Sequence, residues 1–430
     1  MHKTAAFATL GCKVNQYETQ AMRELLEKAG FIILPFEEAA DLYIINSCTV
    51  TNVADRKSRQ HIGQARKKNP DAPVIMSGCL AQRDAEHILA IEGVAAVLGN
   101  AGRKQIAEIA ERVLNGERNI AVVGDILHNH KFDDIRISKN DERLRANLKI
   151  CDGCQNFCSY CIIPYTRGPV RSRPLEEIHA EALELVKTGI KEIVLTGIEV
   201  ASYGRDMENR FGLIDAIKAA RVPGIERIRL SSLEASILTE VFCRQAAEIP
   251  ELCRHFHVSL QSGSDGVLKR MHRKYTTEEF AGYIANLRKY FDDPGITTDI
   301  IAGFPGETEE EHSETLNFVR KIGFSKIHVF PYSRREGTVA AKMSGQVLNE
   351  VKKRRAAEIA KTEEPIAAAY LERFIGCEDL VLIEQELSDG RMIGHTDRYL
   401  QVICEGEPNE IVRVRLEKRE GDKLIGKTIR

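Results

Sequence analysis

The chain is expected to fold as an α/β protein of three successive parts: an N-terminal parallel-sheet domain, a partial (β/α) barrel, and a small C-terminal β-barrel. Three observations predict this. Short apolar runs alternate with helical stretches in the first part of the 430 residues, and the alternation resumes after a polar, charged stretch at 120–147. From about Pro365 onward it gives way to short strand candidates separated by turn residues such as Asp389-Gly390. The length is too great for one ordinary core. The expected divisions are 1–135, 140–362 and 365–430.

The elements follow in order. TAAFATLGC is a strand running out to Cys12, and a helix is expected from about Gln16 to Ala29. ADLYIINSC ends at Cys48, residues 54–68 form a strongly basic helix, and APVIMSGC ends at Cys79. Ligands of parallel sheets gather beyond the carboxyl ends of the strands, and all three cysteines fall there. The second α/β region is expected from Leu148 to about Lys361, with strands in KEIVLTG, RIRLSS, HFHVSLQ, ITTDIIAGF and KIHVFPY. A Lys/Arg-rich helix over 346–361 leads out of it. DLVLIEQEL, RMIGHTD, YLQVIC and EIVRVRLEK are the strand candidates of the last part.

Apolar residues make up 43% and charged residues 29%, the balance of a soluble globular chain, and no cleavable signal or long uncharged apolar run is visible. The expected location is the cytoplasm. The net charge of −2 leaves a nucleic-acid partner dependent on a local basic surface. Eleven cysteines in such a chain point to metal ligation rather than disulfides. Cys243, Cys253, Cys377 and Cys404 have no ligand-like grouping and are expected to be ordinary buried thiols.

The tightest chemical signal is C-x₃-C-x₂-C in DGCQNFCSYCIIPYTRG: Cys154, Cys158 and Cys161. Three thiolates suit a four-iron cluster and leave one iron open for something other than protein. Cys151, at C-x₂-C spacing from Cys154, is the alternative fourth ligand of a purely structural cluster. With this motif the whole chain resembles the radical S-adenosylmethionine enzymes. The resemblance implies that the cofactor's amino and carboxylate groups chelate the open iron, and that one electron cleaves its sulfonium to a 5′-deoxyadenosyl radical. It places Tyr160 near the adenine and Thr196-Gly197 against the cofactor's amino group. It also puts Gly303, Pro305, Gly306 and Glu307 on the adenine side. Ser259, Gln261 and Ser262 lie at another strand end within reach of the cofactor.

Cys12 in TLGCKVNQYET, Cys48 in INSCTVTNVAD and Cys79 in MSGCLAQR narrow the resemblance to methylthiotransferases, which join such an N-terminal domain to a radical domain and a TRAM domain. This implies two [4Fe-4S] clusters: one on Cys154, Cys158 and Cys161 for radical generation, and an auxiliary one on Cys12, Cys48 and Cys79 for sulfur. All six cysteines are then catalytic. One S-adenosylmethionine supplies a methyl group and another the radical, with an electron donor such as flavodoxin or ferredoxin and an unspecified sulfur donor.

CIIPYTRGPVRSRP and LTGIEVASYG look closest to the branch that acts on N6-threonylcarbamoyladenosine 37 of tRNA, although Glu199 and Ala201 stand where His and Gly are expected. N6-isopentenyladenosine and an aspartate of a small ribosomal protein are the competing substrates. An anticodon stem-loop would be guided by Arg56, Lys57, Arg59, Arg66, Lys67 and Lys68 and by Arg167, Arg171 and Arg173. Two other classes remain open from sequence. An iron–sulfur RNA-binding protein without catalysis would not cleave S-adenosylmethionine, and a radical methyltransferase would insert no sulfur.

Overall fold

The computed structural model describes residues 3–50, 52–139, 144–209 and 211–429. The expected limits at residues 1, 140 and 430 lie outside the described residues. Six parallel strands open the chain: β1 (Thr4–Thr9), β2 (Ile32–Leu34), β3 (Leu42–Ser47), β4 (Val74–Gly78), β5 (Val94–Leu98) and β6 (Ile120–Val122), in spatial order β2-β1-β3-β4-β5-β6. Helices cover both faces, so these strands are apolar throughout rather than alternating. In β3, Ile44 packs with Met22, Leu26 and Ile109 on one face, while Ile45 packs with Ile62 and Met76 on the other. The chain leaves β1 for β2 on one side and returns to β3 on the other. That reversal opens a crevice at the carboxyl ends of β1 and β3, the usual ligand position of such sheets.

The central part holds β7 (Arg145–Lys149), the short β8 (Cys151–Asp152) and β9 (Arg171–Ser172), then β10 (Glu192–Thr196), β11 (Arg227–Leu230), β12 (His255–His257), β13 (Gly295–Ala302) and β14 (Lys326–Pro331). β7, β10 and β11 form one parallel sheet, and β12, β13 and β14 another. Bridges Ile228–Leu252 and Leu233–Val258 join them into an open half-barrel with β7 and β14 at its edges. A single apolar core runs beneath it, from Leu148 and Leu195 to Phe256, Phe280 and Phe324. The last part is a closed barrel of β15 (Glu378–Glu386), β16 (Met392–Thr396), β17 (Gln401–Cys404), β18 (Ile411–Glu420) and β19 (Lys423–Thr428).

Several boundaries differ from expectation. The first helix starts at Lys13, because Cys12 itself occupies the helix N-cap and its carbonyl accepts from Gln16 N at 3.1 Å. The stretch 120–147 is shorter as a connection, since Ile120–Val122 pairs with β5 and Arg145–Lys149 opens the half-barrel. The helix expected over 346–361 spans Asn349–Glu372 and continues through Pro365. Burial of Ile359, Tyr370 and Leu371 along it outweighs the one backbone hydrogen bond that proline removes. The C-terminal barrel therefore begins at Glu378, and its last strand, KLIGKT, was not anticipated. Cys243, Cys253 and Cys404 are buried as expected, but Cys377 is exposed just past a helix end.

Candidate functional site

β1, β3 and β4 are neighbours, so their carboxyl ends bring Cys12, Cys48 and Cys79 to one edge of the sheet. Two glycines let the loops close there. Gly11 has φ +100°, and a Cβ on it would lie 2.8 Å from Cys48 Cβ; Gly78 has φ +91°, and a Cβ would lie 2.4 Å from the Ser47 carbonyl. Asn15 ties the same loops by donating to the carbonyls of Leu10 (2.7 Å) and Ser47 (3.0 Å). The thiols feel one another. Burial pushes Cys48 up to about 12, with Cys79 and Cys12 adding to the rise. Cys12 is open to solvent through a cavity, yet protein atoms crowd it from the loop side and its thiol is also raised.

The second triad follows β7 and β8. Burial raises Cys154 and Cys161 to about 12, and Cys158 contributes to both. Arg273 donates to Cys158 Sγ at 3.4 Å, to the Ser259 carbonyl at 2.9 Å and to Glu234 at 2.7 Å. Glu199, at the end of β10, is raised to about 7 by burial and then by the charge of Glu234. Cys151 points elsewhere: its Sγ donates to the Glu199 carbonyl at 3.5 Å and would lie 2.4 Å from a Cβ on Gly197. The alternative of Cys151 as a fourth ligand therefore finds no geometric support.

Between the triads lies a dry ionic network. Arg167, five residues beyond Ile162 in the helix that follows the second triad, donates from Nε to Cys79 Sγ at 3.2 Å. The same guanidinium reaches Glu18 (2.6 Å), Asp152 (3.2 Å) and Asn15 Oδ1 (2.7 Å). Glu18 also meets Arg103 and Lys149, each at 2.8 Å, and Asp152 meets Lys149 at 2.6 Å and Arg171 at 3.5 Å. Burial opposes the charge on Glu18, but these cations outweigh it and hold its carboxyl at about 2. Arg103, Lys149, Arg167 and Arg171 face Glu18, Asp152 and, at 3.9 Å from Arg103, Asp133. That sets four cations against three carboxylates beside Cys79.

This donor chemistry fits iron–sulfur groups. Six soft sulfur donors stand in two sets of three, and Arg167 and Arg273 each direct a hydrogen bond at one of the sulfurs. Among the described residues no three His, Cys, Asp or Glu side chains are drawn together tightly enough for a single metal ion. Three cysteines around a larger multi-iron cluster stand farther apart than the ligands of one ion.

The remaining expected contacts divide. Tyr160 packs edge-on to Phe304 at 6.5 Å, and Thr196 ends β10 with its carbonyl accepting from Ile150 N. Gly303 is crowded by Lys352, and Pro305 is buried in the same turn. Gly306 passes its N–H to Gly345. Glu307 spends its carboxylate on its own turn, accepting from Gly303 N (3.0 Å) and Phe304 N (3.2 Å) and pairing with Arg355 at 2.9 Å. Ser262 Oγ is engaged with Thr315 at 3.3 Å, while Ser259 presents its carbonyl to Arg273 and Gln261 sits at φ +72°.

One sequence expectation is overturned. Arg167, Arg171 and Arg173 cannot touch RNA, because all three are fully buried and paired, Arg173 with Glu181. Arg56, Lys57, Arg59, Lys67 and Lys68 do face solvent, Arg59 while pairing with Asp84, and Arg66 is partly exposed beside Glu92. Asn15, Glu18, Asp152, Glu234 and Arg273 were missed. Glu18 and Asp152 lie in polar stretches, NQYET and CDGCQ, that give them no local signal, and Arg273 lies 115 positions from Cys158.

A cavity of about 1030 Å³ opens from Cys12 and Lys13 into the half-barrel, past Arg229, His255, His257 and Asp299. Burial, then Arg229 and Arg145, push Lys13 down to about 8.

A half-barrel with three cysteines past its first strand defines the radical S-adenosylmethionine architecture, and the Radical SAM superfamily model matches residues 148–319. A second model, described only as uncharacterized protein family UPF0004, matches residues 4–99. The threonylcarbamoyladenosine tRNA methylthiotransferase MtaB of Bacillus subtilis is 42% identical over 96% of this chain and 94% of its own. Its Thermotoga maritima counterpart is 39% identical over 93% and 91%. A tRNA-2-methylthio-N(6)-dimethylallyladenosine synthase of Aquifex aeolicus is 32% identical over 100% and 99%. Among solved structures, the radical S-adenosylmethionine methyltransferase TsrM of Kitasatospora setae aligns with a TM-score of 0.60 at 15% identity, over 85% of this chain and 89% of its own, a likeness of fold. The chain belongs to the MtaB-like branch of the radical S-adenosylmethionine tRNA methylthiotransferases.

Proposed function

We propose that the protein methylthiolates N6-threonylcarbamoyladenosine at position 37 of tRNA, replacing the C2 hydrogen by a methylthio group. The observation that carries this reading is the docking of two cysteine triads against one buried network, with Arg167 reaching Cys79 from the segment that follows Cys161. Cys154, Cys158 and Cys161 would hold one [4Fe-4S] cluster, and Cys12, Cys48 and Cys79 a second. When bound, these centres and S-adenosylmethionine supply the radical, the sulfur and the methyl group. An electron donor of the flavodoxin or ferredoxin kind and a separate sulfur donor complete the balance.

The chain's own residues divide the remaining work. Arg273 and Glu234 shape the wall beside Cys158, and Tyr160, Thr196, Gly197 and the turn Gly303–Glu307 bound the cofactor's space. Ser259 contributes its carbonyl through Arg273, and Gln261 and Ser262 support the same strand end. Functionally, residues to about 135 handle sulfur, 140–362 generate the radical, and 365–430 help hold RNA. Arg56, Lys57, Lys67 and Lys68 offer the anticodon stem a cationic helix face.

The test uses purified, reconstituted protein with an anticodon stem-loop bearing N6-threonylcarbamoyladenosine. The wild type should form the methylthio nucleoside and 5′-deoxyadenosine. Cys12→Ala should keep forming 5′-deoxyadenosine while losing the methylthio product, and Cys158→Ala should lose both. Sulfur insertion by Cys12→Ala at the wild-type rate would sink this division of labour.

A further inference from the structure

The cavity bounded by Cys12 contains one cation that the reading above leaves without a role. The other cations on its wall are answered: Arg229 by Glu192 at 2.7 Å, Lys326 by Glu363 at 3.2 Å, Arg398 by Asp379 at 3.2 Å, and Arg419 by Glu372 at 3.2 Å. Asp299 is taken by His257 at 3.3 Å, and His255 is kept neutral by burial and by Arg229, His257 and Lys13 around it. Lys13 lines the same wall beside Cys12 and has no ion-pair or hydrogen-bond partner among the described residues. Around this side chain three cations, Lys13, Arg229 and Arg145, face two carboxylates, Glu192 and Glu384, so the unpaired ammonium makes the wall beside Cys12 a place for an anion.

The substrate's chemistry says which anion. In adenine, C6, N1 and C2 follow one another along a single edge. A base that presents C2 to the Cys12 side therefore carries its N6 substituent into the same neighbourhood. In N6-threonylcarbamoyladenosine that substituent ends in a carboxylate; in N6-isopentenyladenosine it is wholly apolar. We infer that Lys13 binds the threonyl carboxylate inside this cavity and thereby selects the charged nucleoside over the uncharged one. This rests on the substrate reading given above and adds the residue that enforces it. A charge-assisted hydrogen bond in a partly desolvated cleft corresponds to a preference of roughly 10- to 100-fold.

The experiment is fluorescence anisotropy of reconstituted protein with labelled anticodon stem-loops. They carry either N6-threonylcarbamoyladenosine, its neutral threoninamide counterpart, or unmodified adenosine. The wild type should prefer the acid over the amide by roughly 10- to 100-fold. Lys13→Gln should bring the ratio to about one, and Lys13→Arg should restore it. The ratio compares two RNAs on the same protein, so reduced cluster loading or stability in a variant cancels. A wild type that binds acid and amide alike overturns the inference, as does a Lys13→Gln protein that keeps the wild-type ratio. S-Adenosylmethionine also carries a carboxylate. If Lys13 served it instead, Lys13→Gln would weaken calorimetric binding of S-adenosylmethionine and leave the RNA ratio unchanged, which again overturns the inference. A wild type that prefers neither modified RNA over the unmodified one removes the substrate reading itself.

Discussion

Arg167 donates to Cys79, Asn15, Glu18 and Asp152 from a position with no solvent, so its removal takes one cation from each of two buried carboxylates and the hydrogen bond from a sulfur at once. Breaking a buried ionic network of this kind costs about 3–5 kcal/mol. Arg167→Gln should lower the melting temperature and reduce the iron retained per chain after reconstitution. Wild-type values for both would show that the network is not what docks the two triads. The three arginines of TRGPVRSR looked like an RNA-binding run because a sequence displays their charges but not their partners. Glu18 is 149 positions from Arg167 and belongs to another part of the fold. The six cysteines, by contrast, could be singled out as candidates because the close spacing of Cys154, Cys158 and Cys161 and the strand-end positions of Cys12, Cys48 and Cys79 are local properties.

Glu192 at the start of β10 organises the contact between the half-barrel and the C-terminal barrel. It pairs with Arg229 at 2.7 Å, and Arg229 and Arg227 donate to the carbonyls of Asp397 (3.0 Å) and Leu380 (2.7 Å). Burial opposes its charge, but Arg229, Arg145 and Arg227 outweigh it and hold the carboxyl at about 2, below the ordinary 4.5. A depressed carboxyl contributes stability that is complete above the unfolded-state value and fades as pH falls toward the folded one. The docking should therefore weaken between about pH 4.5 and pH 2. Glu192→Gln should unfold with a shallower acid dependence over that window; an unchanged acid profile would contradict the role assigned to Glu192. The basic helix Asn52–Lys68 carries a different expectation. Replacing Arg56, Lys57, Lys67 and Lys68 by Glu should weaken stem-loop binding and flatten its salt dependence while leaving the melting temperature nearly unchanged. Wild-type RNA affinity at low salt would remove this helix from the interface. At this scale the strands of the parallel sheet were readable from apolar runs, whereas the helix through Pro365 and the strand KLIGKT were not. Proline signals a break that packing overrides, and KLIGKT is too short and mixed for its pattern to stand out.

Taken whole, the molecule sets two cysteine triads on either side of one buried ionic network and opens a cavity from Cys12 into the half-barrel, whose far side meets the C-terminal barrel at Arg398, Tyr399 and Arg419. The order of the three parts was visible in the sequence because a polar, charged stretch separates two strand–helix alternations and short strand candidates replace them after about Pro365. How they dock was not, since Arg167 to Cys79 and Arg229 to Thr396 are contacts between distant segments with no local signature. No helix among the described residues is long and apolar enough to cross a membrane. The central claim is that this assembly inserts sulfur into threonylcarbamoyladenosine of tRNA. The most direct measurement is mass spectrometry of nucleosides from total tRNA of the native organism with and without the gene. Loss of the methylthio-threonylcarbamoyl nucleoside, with its unmethylthiolated precursor accumulating, is the expected result. An unchanged level of that nucleoside, or loss of the methylthio-isopentenyl nucleoside in its place, would contradict it.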